Sequence, residues 1–489
     1  MPTKRTTNSD FIGQATAWTP HLALAGQDRL EQLHAAAVCI LEQTGLNVHH
    51  PAMRTRLAAA GARLGDESRV YLTRELIEHA LSTAVHDVAI YNRLGQPAMS
   101  LRPHGIYFGT GSDLLYALDA KTAQRREATL EDVAQAARLC DALGEIDFVM
   151  SFSLPAELRD GEPEPAQYFA LLSNTTKPPI MTSFSGPESL ERLHEMACLV
   201  AGGDAAFRER PNYILYGQFV SPLQHDRNAV ERLIFCAEHG VPLIYIPTII
   251  AGASGPVTMG GSLALAVAES LAGLVMHQTQ RAGAPFIFGA CAGPLDMRTM
   301  LFPYGSPEWR LNDLVMAEMA RFYRLPVFGT GGATDSKLVD AQAGLEYANS
   351  LLVAALAGTN LIHDVGYLDS GLTGSLESIV LGAEQIRWVK RFAAGLAISG
   401  ETLALDVVQA AGPGGDFLWR DHTLEHLRQD MWLPVAADHL NFAGWAEAGS
   451  RDYATRARER AKQLLQSHRP APLDGKLDAR LREICGLAA

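Results

Sequence analysis

The sequence lacks two features on which a large share of protein functions depend. Its six cysteines are scattered with no CxxC pair, so we expect reduced core thiols in a cytoplasmic protein. With 41 Lys and Arg against 54 Asp and Glu, the formal net charge of −13 leaves no excess of positive charge to neutralise phosphates. Nucleic acid is therefore not an expected partner.

Segments that would anchor the chain in a membrane are also lacking. The first residues, MPTKRTTNSDF, do not contain the apolar core of a signal peptide. The most apolar helical pattern, at residues 262–278, is interrupted by Glu269 and predicts a buried helix instead of a membrane span. We therefore expect no membrane partner.

Familiar catalytic motifs are missing as well. No predicted strand carries an HxH pair, and His225 and His363 are isolated, so no bound metal is expected. No lysine lies within a predicted strand, which argues against Schiff-base chemistry. The GTG sequences at 109–111 and 329–331 are not GxGxxG, and neither a P-loop nor a GxSxG motif is present. The pattern favours binding of a compact organic molecule, with the reacting group supplied from outside the chain.

Hydrophobic patterning predicts an α/β fold. Between residues 101 and 400, eight short apolar segments alternate with eight helical patterns. Such alternation implies parallel strands with right-handed crossovers, and eight units is the number that closes a (β/α)8 TIM barrel. An open doubly wound sheet is the competing architecture. The predicted strands are 106–109, 148–152, 179–184, 213–219, 241–246, 285–290, 327–329 and 359–363.

Both ends of the chain depart from this alternation. Residues 1–100 predict a mostly helical N-terminal region, with an irregular arm over 1–26 and a small hairpin near Gly95. Residues 401–489 predict a helical C-terminal appendage. The apolar helices at both ends make a homo-oligomer a further expectation.

Polar residues collect in the loop after the seventh predicted strand, where a barrel of this kind places its site. The loop offers a carboxylate, a hydroxyl, an ammonium group and free backbone N–H groups. A well-capped turn before a helix explains the same residues, so both interpretations stay open. The residues concerned are Gly331, Gly332, Asp335, Ser336, Lys337 and, just beyond, Gln342.

Candidate residues also lie at other strand ends. His363 and Asp364 lie at the end of the eighth predicted strand, although a lone histidine there is also explained by core packing. Aromatic side chains recur at strand ends, and a few of them converging at the barrel mouth would suit methyl groups or a cation. Core packing explains most such residues equally well. The candidates for a pocket wall are Phe184, Gln218, Phe219 and Tyr367.

Three segments resemble the trimethylamine:corrinoid methyltransferase family. They are GATDSKLVDAQAGLE at 332–346, HDVGYL at 363–368, and the tail residues DFL at 416–418 with HTL at 422–424. The resemblance implies a (β/α)8 barrel that moves a methyl group from an N-methylated amine to the cobalt of a cobalamin (corrinoid) held by a separate partner protein. The chain has no DxHxxG motif for binding a corrinoid, which agrees with a separate carrier protein.

The chain departs from the family in one respect. Members that act on trimethylamine carry pyrrolysine, whereas this chain has only the standard twenty residues. The resemblance therefore implies the non-pyrrolysine branch and a small quaternary amine substrate such as glycine betaine. Two alternatives stay open: a lyase or demethylase with another methyl acceptor, and a non-catalytic barrel that binds a betaine-like solute.

Position and resemblance together give each candidate a role. We predict catalytic roles for Asp335, His363 and Asp364. The predicted substrate contacts are Phe184, Gln218, Phe219 and Tyr367. The predicted corrinoid contacts are Gly331, Gly332, Ser336, Lys337 and Gln342.

Overall fold

The centre of the molecule is a closed barrel of eight parallel strands. A computed structural model describes residues 21–486, apart from 104, 120, 121, 123 and the side chains of 428 and 429. The strands follow one another around the barrel in chain order, and a parallel bridge from Gly109 to Phe148 closes the first strand on the second. The strands are β1 Tyr107–Thr110, β2 Val149–Met150, β3 Pro179–Thr182, β4 Ile214–Gln218, β5 Leu243–Ile246, β6 Phe286–Gly289, β7 Val327–Thr330 and β8 Leu361–Val365.

Each strand is followed by a helix, which confirms the predicted barrel and excludes the open doubly wound sheet. Side-chain oxygens of Asp226, Ser306 and Ser375 cap three of these helices by accepting backbone N–H groups of the first turn. The barrel helices are α1 Leu130–Ala142, α2 Pro163–Asn174, α3 Pro187–Ala201, α4 Arg227–His239, α5 Met259–Gln280, α6 Pro307–Tyr323, α7 Ala341–Ala357 and α8 Leu376–Ala393.

Helix α5 is the one described helix that is long and apolar enough to cross a membrane by length and composition. In the structure, 83% of its most apolar stretch is buried inside the protein. It packs against α4, α6 and the N-terminal helices Gln27–Cys39 and Arg74–Thr83. It is therefore a core helix, as the sequence predicts.

Alternation along the strands divides the core into two parts. In β4, Ile214 and Tyr216 point into the barrel, while Leu215 points outward to the helices. The hairpin Val88–Tyr91 and Pro97–Leu101 packs its apolar side chains into the same inner core. Because this hairpin covers the end of the barrel where the strands begin, access to the interior is from the opposite end, the mouth.

The remaining elements lie outside the barrel. The N-terminal helices are Gln27–Cys39, continued by a π turn Ile40–Thr44, then Pro51–Ala59 and Arg74–Thr83. The sequence did not predict the small sheet of Leu46–Val48, Arg63–Leu64, Arg69–Tyr71 and Gln224–His225. The predicted irregular arm lies outside the described residues up to position 20. C-terminal helices are Leu405–Ala411, Asp421–Asp430, Phe442–Glu447, Tyr453–Ser467 and Gly475–Ile484.

The loops of the mouth contain short strands and turns. One small sheet joins the loops that follow β1 and β8, and a second pair joins those after β5 and β6. These pairings hold neighbouring loops in fixed positions. The elements are Tyr116–Leu118, Arg125–Glu127, Tyr367–Leu368 and Thr373–Gly374, then Thr248–Ala251 with Cys291–Pro294, the 3-10 turns Ala156–Leu158 and Asp369–Gly371, and, away from the mouth, the short helix Asp204–Glu209.

Candidate active site

A bulge at the end of β8 places two adjacent side chains at the mouth. Successive residues of a strand normally face opposite sides, but the pairing of β8 with β1 shifts register between Ile362 and Val365. His363 and Asp364 fall within this shift, and both are buried. Asp364 has a φ of 90°, a left-handed conformation that costs a non-glycine residue about 1–3 kcal/mol. The fold thus maintains a strained backbone at the position of a carboxylate.

His363 and Asp364 lie in contact with each other. Nδ1 of His363 lies 2.9 Å from the carbonyl oxygen of Gly329, and its Nε2 lies 3.0 Å from Oδ1 of Asp364. Burial lowers the pKa of His363 to about 3 and raises the pKa of Asp364 well above its usual value. Nδ1 therefore donates to the carbonyl of Gly329, and burial favours the neutral form of both side chains.

The second carboxyl oxygen of Asp364 has no partner. Oδ2 is buried and accepts no hydrogen bond. A buried carboxylate oxygen that accepts no hydrogen bond is costly, which favours the protonated form of Asp364 in the free protein. A bound cation would reverse this preference and favour the ionised form.

Aromatic rings surround this pair. The ring of His363 stacks on Phe328 at 4.0 Å, and Tyr216 reaches across the barrel to within 5.4 Å of Phe328. Nε2 of Gln218 donates to the hydroxyl of Tyr216. Gln218, predicted to contact substrate, therefore lies at the mouth and positions a tyrosine there.

Tyr367 joins the loops after β8 and β1. Its hydroxyl accepts the N–H of Ser112 at 2.5 Å and donates to the Ser112 carbonyl. Gly111 makes this contact possible, since a Cβ at that position would lie 2.2 Å from the Tyr367 ring. The ring centre of Tyr367 lies 6.3 Å from that of Tyr304, and the Tyr304 ring packs on Trp309 with the ring centres 4.1 Å apart. Tyr367 is thus at the mouth, as predicted.

The positive charge of the mouth is on Arg310, which is paired with Asp313. Arg310 on α6 lies 3.0 Å from Asp313, and its guanidinium donates to the carbonyl and hydroxyl oxygens of Thr330 at 3.1 Å. Burial raises the pKa of Asp313 to about 6. Nε of Arg310 and Oδ1 of Asp313 are buried without a partner. The charges of Arg310 and Asp313 both act on Asp364.

In the polar loop after β7, the carboxylate of Asp335 binds the neighbouring loops, which differs from its predicted catalytic role. The carboxylate of Asp335 accepts the N–H groups of Tyr304 at 2.8 Å and Gly305 at 2.9 Å, and the hydroxyl of Ser370 at 2.7 Å. It therefore ties the loops after β6, β7 and β8 together. The predicted catalytic role of Asp335 stays a prediction, whereas its observed contacts make it a positioning residue.

The glycines of this loop are packed against β8. Gly331 donates its N–H to the carbonyl of His363 at 2.9 Å, and Gly332 donates to the hydroxyl of Ser350 at 3.0 Å. Gly332 has a φ of 87°, and a Cβ there would lie 2.9 Å from Val365. Both residues are buried, and so is Ser336, so the structure does not present them to a large cofactor.

Four other predicted residues lie away from the mouth or at its rim. Phe219 points outward and stacks on His225 at 4.3 Å and on Tyr245 at 4.6 Å. Gln342 is exposed and donates to Glu346. Lys337 and Phe184 are exposed at the rim, so contact with a docked partner is still open to them. Substrate contact by Phe219 is not consistent with its position.

Cys291 is a buried thiol at the mouth. Burial raises its pKa well above the usual value, which disfavours the nucleophilic thiolate. Among the described residues, one group with the spacing of metal ligands occurs, His194, Cys198 and Asp204, between α3 and the helix that follows. Arg208 already pairs with this Asp204 carboxylate at 2.9 Å, which supplies the positive charge it needs.

Sequence reasoning missed Tyr216, Arg310 and Asp313. Tyr216 was detectable, because it lies two residues after Ile214 and shares its inward direction. Arg310 and Asp313 lie on α6 and not at a strand end, so only the packing of α6 on β7 brings them to the mouth. We call Tyr216, Tyr304, Arg310, Asp364 and Tyr367 the mouth cluster.

The fold and the mouth cluster define a (β/α)8-barrel enzyme with its site at the carboxyl ends of the strands. Residues 3–485 match the family described as trimethylamine methyltransferase (MTTB), so the chain belongs to that family and is a methyltransferase. Two relatives come from Desulfitobacterium hafniense. Trimethylamine methyltransferase MttB is 31% identical over 95% of this chain and 93% of its own length, and glycine betaine methyltransferase is 30% identical over 95% and 96%.

A solved structure gives the same fold. The monomethylamine methyltransferase MtmB of Methanosarcina barkeri superimposes with a TM-score of 0.52 over 94% of this chain and 92% of its own. Sequence identity in that comparison is 12%. The likeness therefore confirms the barrel architecture, while the methyltransferase assignment rests on the relatives of higher identity.

Proposed function

We propose that this methyltransferase takes a methyl group from a zwitterionic quaternary amine of the glycine betaine type and passes it to a corrinoid carried by a separate protein. One observation carries the choice of substrate. Asp364 Oδ2, an acceptor, and Arg310 Nε, a donor, are both buried without a partner in the mouth cluster. A ligand with a cationic and a carboxylate end supplies the missing partner of each.

The aromatic rings support the cationic end. Burial raises the pKa values of Tyr216, Tyr304 and Tyr367 well above their usual value, and all three lie close enough to Asp364 for its ionised form to raise them further. A quaternary ammonium group has no N–H to donate, so it is recognised by aromatic faces and by nearby negative charge. The cluster provides both, because a bound cation favours the ionised form of Asp364.

The transfer requires little chemistry from the protein. The bond between nitrogen and the methyl carbon breaks, its electron pair stays on nitrogen, and the product is a neutral tertiary amine that needs no proton. A cob(I)alamin held by the partner supplies the nucleophile that receives the methyl group. The side chains of this chain bind the amine, orient one methyl group toward the opening and exclude water.

The rim of the mouth fits a docked partner. Large apolar side chains project from the loops after β3, β4, β5 and β6, and each is more than half exposed. An exposed apolar rim around a polar site is typical of a surface that another protein covers. The side chains are Phe184, Val220, Val257, Met297, Met300 and Leu301. All six cysteines are free, which supports the proposed cytoplasmic location.

An anaerobic absorbance assay tests the proposal. The protein is mixed with cob(I)alamin and, in turn, glycine betaine, other betaines, carnitine and trimethylamine. We expect the cob(I)alamin band to disappear with one betaine and not with trimethylamine. Conversion with trimethylamine alone would contradict the choice of substrate. Tight calorimetric binding of a betaine without conversion, also with a corrinoid protein present, would favour a binding protein instead.

A further inference from the structure

A second carboxyl group lies at the mouth, outside the mouth cluster. Asp113 comes three residues after β1, and its Oδ1 accepts the hydroxyl groups of Thr182 at 2.8 Å and of Ser151 at 3.3 Å. Thr182 ends β3 and Ser151 comes directly after β2, and both are buried. Three successive strand ends thus converge on one carboxyl group.

Asp113 and Asp364 lie on different sides of the mouth. Asp113 is held by the ends of β2 and β3, whereas Asp364 belongs to β8, two to three strands away around the barrel. Tyr216 and Tyr367 lie near both acids. Burial raises the pKa values of these tyrosines, and the ionised forms of Asp364 and Asp113 both raise them further. An amine held by these two rings is therefore within reach of two carboxyl groups.

The surroundings of Asp113 favour its protonated form. Burial raises the pKa of Asp113, and the charge of Glu164 on α2 raises it further. Hydrogen bonds from the neighbouring hydroxyl groups act in the opposite direction but are outweighed. Thr182 and Ser151 both donate to Oδ1, so the proton of the acid form belongs on Oδ2. Asp113 is only partly buried, which leaves it accessible from the mouth.

A bound betaine leaves one of the two acids protonated. Its single positive charge stabilises one carboxylate, and in the proposed function that carboxylate is Asp364, whose Oδ2 is buried without a partner. A second carboxylate beside the same amine is disfavoured by like charge. Asp113 therefore keeps its proton while the substrate is bound.

The electron pair left on nitrogen gives this proton a use. Breaking the bond between nitrogen and the methyl carbon needs no proton, but the tertiary amine that forms is a nucleophile able to take the methyl group back. A proton passed from Oδ2 of Asp113 to nitrogen occupies that electron pair. The O–H bond breaks with its electrons left on oxygen, an N–H bond forms, and Asp113 regains a proton from water after the product leaves.

We propose that Asp113 protonates the tertiary amine product and thereby prevents return of the methyl group. Because Asp113 would act on an amine held in the mouth, this role rests on the proposed function.

Calorimetric binding of two amines to the full-length protein tests the proposal. Dimethylglycine, the product of glycine betaine, carries an N–H group that ionised Asp113 accepts, whereas glycine betaine has none. Asp113→Asn should weaken the binding of dimethylglycine at least about tenfold, since a charged hydrogen bond is lost, and change that of glycine betaine less than about threefold. A residue that merely shaped the loop would affect both amines alike.

Turnover should separate in the same way. With the protein in excess over cob(I)alamin, the initial rate of a single turnover of glycine betaine by Asp113→Asn should stay within about threefold of wild type, because the bond that breaks needs no proton. With cob(I)alamin in excess, steady turnover should fall at least about tenfold, because the unprotonated product returns its methyl group before it leaves.

Asp369→Asn is the matched control. Asp369 lies in a mouth loop and has a left-handed φ of 57°, close to the 63° of Asp113, but its carboxylate is paired with Arg125 at 2.8 Å. This variant should keep the wild-type ratio of the two affinities.

Equal weakening of both amines by Asp113→Asn, or no change in either, would overturn the proposal. If that variant loses the folded circular dichroism signal, Asp113→Ser takes its place with the same expected outcomes. Failure of the wild type to bind or convert glycine betaine would contradict the proposed function and the role of Asp113 together, whereas a wild type that converts glycine betaine beside an Asp113→Asn protein with unchanged affinities would contradict the role of Asp113 alone.

Discussion

The mouth cluster and residues 391–435, at and after the end of α8, depart from the usual pattern in opposite ways. The mouth buries polar atoms that lack hydrogen-bond partners, such as Oδ2 of Asp364 and Nε of Arg310. Residues 391–435 expose apolar side chains, such as Trp419, and none of their described side chains is buried. Buried polar atoms are normally hydrogen-bonded, and large apolar side chains are normally buried. The unpaired atoms of the mouth indicate that its missing partner is a small molecule with groups of both charges.

Removing the ionisable carboxylate of Asp364 should have the largest effect on activity. Asp364→Asn keeps the shape of the side chain but cannot ionise beside a cationic amine. Loss of one partner of a buried ion pair costs about 3–5 kcal/mol, so we expect kcat/KM in the cob(I)alamin assay to fall at least about 100-fold. Asp406→Asn, at an exposed position of the helix Leu405–Ala411, is the control and should keep wild-type activity. Activity of Asp364→Asn within threefold of wild type would refute the role of this carboxylate.

Displacing Tyr367 should give the next largest effect. In Gly111→Ala the new Cβ lies 2.2 Å from the Tyr367 ring, which must move away from the mouth cluster. Overpacking of this kind costs about 1–3 kcal/mol, and we expect a roughly tenfold loss of activity with a lower melting temperature. Gly144→Ala is the control, because a Cβ there meets no atom within 4 Å. Loss of the folded circular dichroism signal in Gly111→Ala would mean general unfolding instead of a displaced ring.

Binding of the amine should be coupled to proton release. The pKa of Asp364 is raised in the free protein, and a bound cation favours the ionised carboxylate. Below the raised pKa, affinity should therefore fall with decreasing pH, by up to about tenfold per unit. Calorimetry in buffers of different ionisation enthalpy should show proton release that Asp364→Asn abolishes. Equal proton release by the wild type and by Asp364→Asn would assign the coupling to another group.

The smallest effect concerns the loop after β4. Glu269 accepts the hydroxyl of Ser221 at 2.7 Å and the N–H of Leu223, and burial raises its pKa to about 7. Since its pKa is higher in the folded state, its contribution to stability is complete below the unfolded pKa of about 4.5 and is lost as pH rises through 7. Between pH 6 and 8 the free energy of unfolding should therefore fall by about 1 kcal/mol. Glu269→Gln should flatten that part of the melting profile, and an unchanged profile would exclude Glu269 as its cause.

Periodicity was sufficient to predict the barrel. The spacing of apolar residues within each segment predicts the eight strand–helix units, and it also predicts α5 as a core helix. The sheet formed by Leu46–Val48 and Gln224–His225 did not follow, because its strands have two or three residues and pair over a long separation in sequence. Strands this short carry no recognisable alternation.

The site was predictable only in part, for a physical reason. His363, Asp364, Gln218 and Tyr367 lie at strand ends, where a barrel must place its site, and the structure brings them together. The bulge that turns Asp364 inward leaves no mark in the sequence. Arg310 reaches the mouth from a helix, through contacts with Thr330 that depend on tertiary packing. Phe219 lies one residue past β4 on the outward side, so counting the alternation from Ile214 would have excluded it.

The most direct test of the central claim is a crystal structure of the protein with glycine betaine bound in the absence of corrinoid. We predict density for the trimethylammonium group between Tyr216, Tyr304 and Tyr367, with Asp364 as the nearest carboxylate. The substrate carboxylate should lie within hydrogen-bonding distance of Nε of Arg310. Density at any other site, or an empty mouth at a betaine concentration that saturates binding in solution, would contradict the account.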